Sequence, residues 1–107
     1  MTLRKPPLTF DEAQEAVSHL TAPRVTKESI EAKIKDVSYH VGSGFGLTTI
    51  CIITMQSGFK VIGHSTPASP ENFKQDIGQS YAYDNAFRQL WQLEGYLLRE
   101  QLSKEKE

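Results

Sequence analysis

Hydrophobic residues recur at helical spacing in two short stretches near the N-terminus. The first stretch follows Thr9 and Glu12, which have the spacing of a capping box, and its apolar residues are Phe10, Ala13, Ala16, Val17 and Leu20. Pro23 ends this pattern because proline disfavours helix in the residue before it. Thr26 then begins a second stretch, whose apolar stripe is Ile30, Ile34 and Val37. The pattern predicts two short N-terminal helices.

The middle of the chain has the pattern of a three-stranded antiparallel meander. The predicted strands are 37–41, 47–56 and 59–65. Ser57-Gly58 supplies a tight turn between the last two strands, which pairs Gln56 with Phe59. One face of the sheet then holds Ile50, Ile52, Phe59 and Val61, and the other holds Leu47, Cys51, Ile53, Met55 and Ile62. Both faces are thus apolar near the centre, whereas a sheet covered on one side alternates apolar and polar residues. We therefore expect both faces to be covered, one by the helices and the other by a partner chain or the N-terminal segment.

The last third of the chain is predicted to be a long helix from Pro70 to Gln101. Ser69 is a suitable N-cap, and proline is well tolerated at the first helical position. A helix of that length would measure about 48 Å, whereas a compact domain of this size is about 30–35 Å across. The helix must therefore break, at Gly78 or Gly95, or extend beyond its own domain to meet a partner.

Together these elements predict an α+β fold in one domain. A three-stranded antiparallel meander is flanked by two short N-terminal helices and by a long C-terminal helix that a glycine could kink. The length of 107 residues suits a single domain over 1–107. Within it we expect a flexible N-terminus at 1–8 and a frayed C-terminus at 103–107.

Charge is balanced overall but unevenly distributed. Twelve basic and thirteen acidic residues leave a net charge of −1, which argues against a protein that depends on phosphate contacts. Between positions 36 and 66 the only charged residues are Asp36 and Lys60, so this stretch is a buried centre or a contact surface. A basic strip on the second helix keeps open the alternative of a nucleic-acid-associated protein. Its residues would be Arg24, Lys27, Lys33 and Lys35.

The residues with reactive side chains do not form a recognisable catalytic or metal-binding motif. The single cysteine, Cys51, lies between isoleucines and is expected to be a small buried hydrophobic residue. His40 and His64 lie on strands that flank the central one, about 10 Å apart and too far to share a zinc ion. We therefore predict no catalytic residue, cofactor or metal, although an enzyme using Cys51 or His64 stays open as the least favoured alternative.

A binding role is the function that this pattern favours. Phe45 stands at the tip of a glycine-rich loop, and Glu94 precedes Gly95, an unusual residue for a helix interior. The candidate partner-binding residues are Phe45, Ile50, Ile52, Phe59, Val61, Trp91 and Glu94. We expect a homodimer that binds another protein, with neither a membrane nor a nucleic acid as its partner. The longest apolar run, Ile50 to Ile53, is far shorter than the ~20 residues needed to span a bilayer. The start of the chain also lacks the pattern of a signal peptide, so we expect a cytoplasmic protein.

A set of residues between positions 25 and 102 resembles one protein family. They are Cys51, Thr54, Gly58-Phe59, Val61, Gly63, Ser65, Pro70, Asn72-Phe73, Gly78, Ala82, Ala86, Trp91 and Leu93-Glu94-Gly95-Tyr96-Leu97-Leu98. In these positions the chain resembles a family of small tailed-bacteriophage proteins of unknown function, known after gene product forty-nine and gene sixty-six of two podoviruses. The resemblance implies a bacteriophage accessory protein that acts in the infected cell, and it supplies no mechanism. Together with the binding role above, we expect it to bind a host or phage protein in the cytoplasm of the infected bacterial host. The resemblance carries over no catalytic residue.

Overall fold

Three helices and three strands make up the chain in the computed structural model, which describes residues 5–42 and 46–105. The elements are α1 (Phe10–Ala16), α2 (Lys27–Glu31), β1 (Ile34–His40), β2 (Thr49–Met55), β3 (Lys60–Ser65), a 3-10 turn (Pro70–Asn72) and α3 (Gln75–Glu105). The strands form one antiparallel sheet in the order β1-β2-β3. The α+β fold class and the meander are confirmed.

Both N-terminal helices begin at the predicted caps, and both end early. Thr9 and Glu12 form the capping box of α1, and Thr26 is the N-cap of α2. The prediction that Ile34 and Val37 continue the stripe of the second helix is wrong, because both residues belong to β1. There they pair with Met55 and Ile53 of β2, and this cross-strand pairing outweighs their helical spacing.

The β2–β3 hairpin closes one residue earlier than the sequence pattern predicts. The Met55 N–H donates to the Phe59 carbonyl at 2.8 Å, so the loop has three residues, and the predicted pairing of Gln56 with Phe59 is wrong. Gly58 ends the loop with a φ of 93°, in the left-handed region that this type of hairpin requires.

This difference in register moves every side chain of β3 to the opposite face. Val61 lies opposite Ile53 and is buried under α3, whereas Ile62 lies opposite Ile52 on the face turned away from α3. The prediction that Val61 shares a face with Ile50 and Ile52 is therefore wrong, and Ile62 takes that place.

Helix α3 runs without a break over 31 residues, or about 46 Å. Neither Gly78 nor Gly95 interrupts it, so the prediction of a break at one of these glycines is wrong. The helix extends beyond the sheet, whose longest strands have seven residues and span about 23 Å. That it meets a partner stays a prediction. The helix continues to Glu105, and the fraying expected at 103–107 stays a prediction.

The core lies between α3 and one face of the sheet. Its buried members are Ile30, Cys51, Ile53, Met55, Val61, Ala82, Ala86, Phe87 and Leu90. Small residues allow α3 to pack closely on β3, since the backbone of α3 between Ala82 and Ala86 touches Gly63. Near the start of α3, Gly78 leaves room for the buried side chain of Thr49.

Candidate functional site

Three isoleucines lie together on the face of the sheet that is turned away from α3. Ile52 and Ile62 are direct cross-strand partners, and Ile50 precedes Ile52 on the same side of β2. Ile62 is 57% exposed, and the other two are half-buried. Together they line a shallow concavity of about 820 Å³. We call this surface the isoleucine face.

Polar residues surround the isoleucine face. His40 and His64 both pair with Ile50, which confirms their placement on the two outer strands, and Ser38 pairs with Ile52. At the hairpin end, Lys60 donates a hydrogen bond from Nζ to Thr54 Oγ1 at 3.0 Å. The face is therefore an apolar centre with a polar rim, in agreement with the prediction that this face is apolar near its centre.

The described part of the N-terminal segment does not cover the isoleucine face. Phe10 of α1 instead contacts Trp91 of α3, with ring centroids 5.2 Å apart and planes at 75°. The residues from outside the sheet and its adjoining turns that line the concavity are Gln75 and Gln79, in the first turns of α3. Among the described residues, the expectation that the N-terminal segment covers the second face is therefore wrong.

The predicted partner-binding residues fall on separate surfaces. Ile50 and Ile52 lie on the isoleucine face, Val61 is 4% exposed inside the core, and Phe45 lies outside the described residues. Trp91 is half-buried between Phe10 and Phe87, where it holds α1 against α3. The sequence pattern placed Ile62 on the opposite face, because it assumed a two-residue hairpin loop. The observed three-residue loop shifts the register of β3 and brings Ile62 onto the isoleucine face.

Phe59 belongs to a second apolar surface, on the α3 side of the hairpin. It is 57% exposed and lines a groove of about 510 Å³ with side chains of β2 and α3. The other apolar residues of this groove are Met55, Leu90, Leu93 and Leu97. Glu94 borders the groove and forms an ion pair with Lys33 of the same chain, a pair of residues that the sequence pattern does not connect.

Cys51 has none of the properties of an activated nucleophile. Its side chain is fully buried, and burial raises the pKa of its thiol above the ordinary value of 9.0. A raised pKa keeps the thiol protonated at neutral pH, whereas a nucleophile requires the thiolate. Burial likewise raises the pKa of Tyr39 and of Tyr83. Within the described ranges, no three histidine, cysteine or acidic residues come together in a way that could hold a metal ion.

The basic residues proposed for a helical strip lie on different elements. Lys27 is in α2, Lys33 follows that helix and pairs with Glu94, and Lys35 is in β1. Arg24 donates a hydrogen bond to Gln14 at 3.4 Å. The prediction of a basic strip on the second helix is therefore wrong, because that helix ends at Glu31.

Comparison with known proteins identifies the family. No helix in the described part of the chain has the length and apolar character needed to cross a membrane. No curated protein and no solved structure gives a significant match to the chain. Residues 25–102 match the model of one family, described as phage protein (N4 Gp49/phage Sf6 gene 66), over the stretch that carries the resemblance seen in the sequence. The chain belongs to the phage protein (N4 Gp49/phage Sf6 gene 66) family.

Proposed function

We propose that this phage protein is a non-catalytic accessory protein that acts in the cytoplasm of the infected host. It works by binding another protein, of the host or the phage, and it does so as a homodimer. The observation that carries this proposal is the isoleucine face, which is an apolar centre with a polar rim.

The composition of the isoleucine face supports binding to a protein. Burying one large aliphatic side chain contributes about 1.5–3 kcal/mol, so three partly exposed isoleucines offer an interface several kcal/mol. Protein interfaces commonly combine a desolvated apolar centre with a polar rim. Ser38, His40 and His64 supply such a rim and can select a partner through hydrogen bonds.

Binding rather than turnover agrees with the state of the reactive groups. The Cys51 thiol is buried with a raised pKa, which opposes formation of the thiolate. His40 and His64 lie on either side of Ile50 with their Cα atoms about 10 Å apart, so strand pairing does not by itself bring their rings together.

The experiment compares proteins captured from infected host cells by the wild-type chain and by two variants. Ile62→Asp places a charge at the centre of the isoleucine face, and Tyr81→Asp is the matched control, because Tyr81 is 65% exposed on α3. We expect a protein that is retained by the wild type and by Tyr81→Asp and lost with Ile62→Asp. Identical captured sets for all three chains, each folded by circular dichroism, would contradict the proposal.

A further inference from the structure

The two edges of the sheet differ in their backbone hydrogen bonding. On β3, the outward His64 N–H donates to Asn85 Oδ1 at 3.1 Å, and the outward Ile62 carbonyl accepts from Gln89 Nε2 at 2.7 Å. Both amide side chains come from α3. The free backbone N–H and C=O groups of an edge strand can pair with another strand. Here two of those groups already hydrogen-bond to side chains of α3. Side chains of α3 therefore occupy the β3 edge at His64 and Ile62.

The β1 edge is open. The Met55 N–H donates a hydrogen bond to the Phe59 carbonyl, on the β3 side of β2. Backbone hydrogen bonds alternate between the two sides of a strand, so the odd-numbered residues of β2 hydrogen-bond to β3 and the even-numbered residues to β1. The β1 partners of those even-numbered residues are Asp36, Ser38 and His40. Val37 and Tyr39 therefore direct their backbone N–H and C=O groups away from the sheet, and no group among residues 5–42 and 46–105 hydrogen-bonds to them.

We propose that the β1 edge pairs with β1 of a second copy of this chain. The two strands run antiparallel about a two-fold axis at Ser38, and the two sheets become one sheet of six strands. This inference rests on the homodimer of the proposed function and names its interface.

The pairing of Asp36 with His40 selects the register centred on Ser38, because an imidazole N–H can donate a hydrogen bond to a carboxylate. In a two-fold pairing, the residues whose backbone N–H and C=O groups face outward must lie opposite each other in the two strands. The two-fold axis can then pass through Asp36, Val37, Ser38 or Tyr39. A centre at Asp36 would place two carboxylates opposite each other, which is unfavourable.

The centre at Ser38 places each Asp36 opposite His40 of the second copy, on the side of the isoleucine face. It also places each Val37 opposite Tyr39 of the second copy, on the α3 side, and aliphatic–aromatic cross-strand pairs are favourable. No other symmetric register pairs Asp36 with a histidine and also includes the whole of the strand beyond the bulge at residues 34–36.

The pairing would join the two isoleucine faces. The Ile52 residues of the two copies would be three strand spacings apart, about 14 Å. The dimer would therefore present one extended binding surface, with a polar centre at Ser38 and an apolar patch on each side.

The test of contact is a disulfide at the two-fold axis. Two residues opposite each other at a non-hydrogen-bonded position have Cα atoms about 4.5 Å apart, within the range for a disulfide. We expect Ser38→Cys to form a covalent dimer under mild oxidation. Thr54→Cys is the matched control on the same side of β2, and we expect it to stay uncrosslinked, as the buried Cys51 does in the wild type.

The test of register is a charge swap, measured as a dimer dissociation constant by analytical ultracentrifugation. Asp36→His and His40→Asp each place like groups opposite each other, and we expect each to weaken the dimer about tenfold. The double variant D36H/H40D restores the complementary pairs and is expected to restore affinity. Lys60→Asp, on β3, is the control that should leave the dimer unchanged.

The outcomes separate this inference from the proposed function. A wild-type chain that stays monomeric at every concentration would overturn both the homodimer and the edge pairing. A wild-type dimer that neither crosslinks through Ser38→Cys nor responds to the charge swap would overturn the edge pairing alone. So would a dimer that Ile62→Asp dissociates while the charge swap leaves it intact, because that result indicates packing face to face.

Discussion

Gly63 of β3 lies against the backbone of α3 at Ala86. A Cβ atom built on Gly63 would come within 2.3 Å of the Ala86 amide nitrogen and within the same distance of the Ala82 carbonyl oxygen. Backbone cannot give way as the end of a side chain can, so strand and helix are in direct contact here. This contact sets the distance between α3 and the sheet.

Gly63→Ala should therefore be strongly destabilising. The added methyl group has to push α3 away from the sheet, and overpacking of this kind costs about 1–3 kcal/mol. We expect the urea midpoint to fall by the corresponding amount with an unchanged slope. An unchanged midpoint would show that α3 does not touch β3 in this way.

Gly95→Ala should have the opposite effect. A Cβ atom at Gly95 meets no heavy atom within 4 Å, and the residue lies inside the unbroken α3. Replacing an interior helix glycine by alanine stabilises a helix by about 0.5–1 kcal/mol. The same urea titration measures this change. A clear loss of stability would mean that a close contact at Gly95 exists in solution.

The Lys33–Glu94 ion pair should contribute more than the surface pair of Asp84 and Arg88. The Glu94 side chain is 16% exposed and that of Lys33 47%, whereas the second pair is exposed at both residues. A double-mutant cycle with alanine should give a coupling of about 0.5–1 kcal/mol for Lys33–Glu94. The cycle for Asp84 and Arg88 serves as the control, with about 0.3–0.5 kcal/mol expected. Equal couplings would contradict the ranking.

Stability should decline at alkaline pH, beginning with Cys51. Burial raises the pKa of the folded thiol above the ordinary value of 9.0, so the unfolded chain loses this proton first. The contribution to stability is complete below pH 9 and is lost as the pH rises through the folded pKa. Free energies of unfolding measured from pH 7 to pH 10 should fall, and Cys51→Ala should delay the fall toward pH 10, where Tyr39 and Tyr83 act in the same direction. A wild-type curve that is flat above pH 9 would contradict burial of the thiol.

Much of the candidate surface could be predicted from the sequence, and its key residue could not. Ile50 and Ile52 alternate with buried residues along β2, so their shared face follows from the strand pattern. Val61 and Ile62 are adjacent aliphatic residues, and either could face the core. The pattern alone cannot choose between them, because a hairpin loop of two or of three residues fits the same turn signal.

Local signals determined the elements of this protein. The capping box at Thr9, the N-cap at Thr26, the turn glycine at 58 and the run of strand residues act over a few positions, so the sequence by itself specifies them and the α+β class. Only the tertiary structure decided the end of α2, the register of β3, the continuity of α3 and the pairing of Lys33 with Glu94. Each of these depends on contacts that local propensity does not specify, such as the pairing of β1 with β2 and the packing of α3 on Gly63, and their energy outweighs local preference.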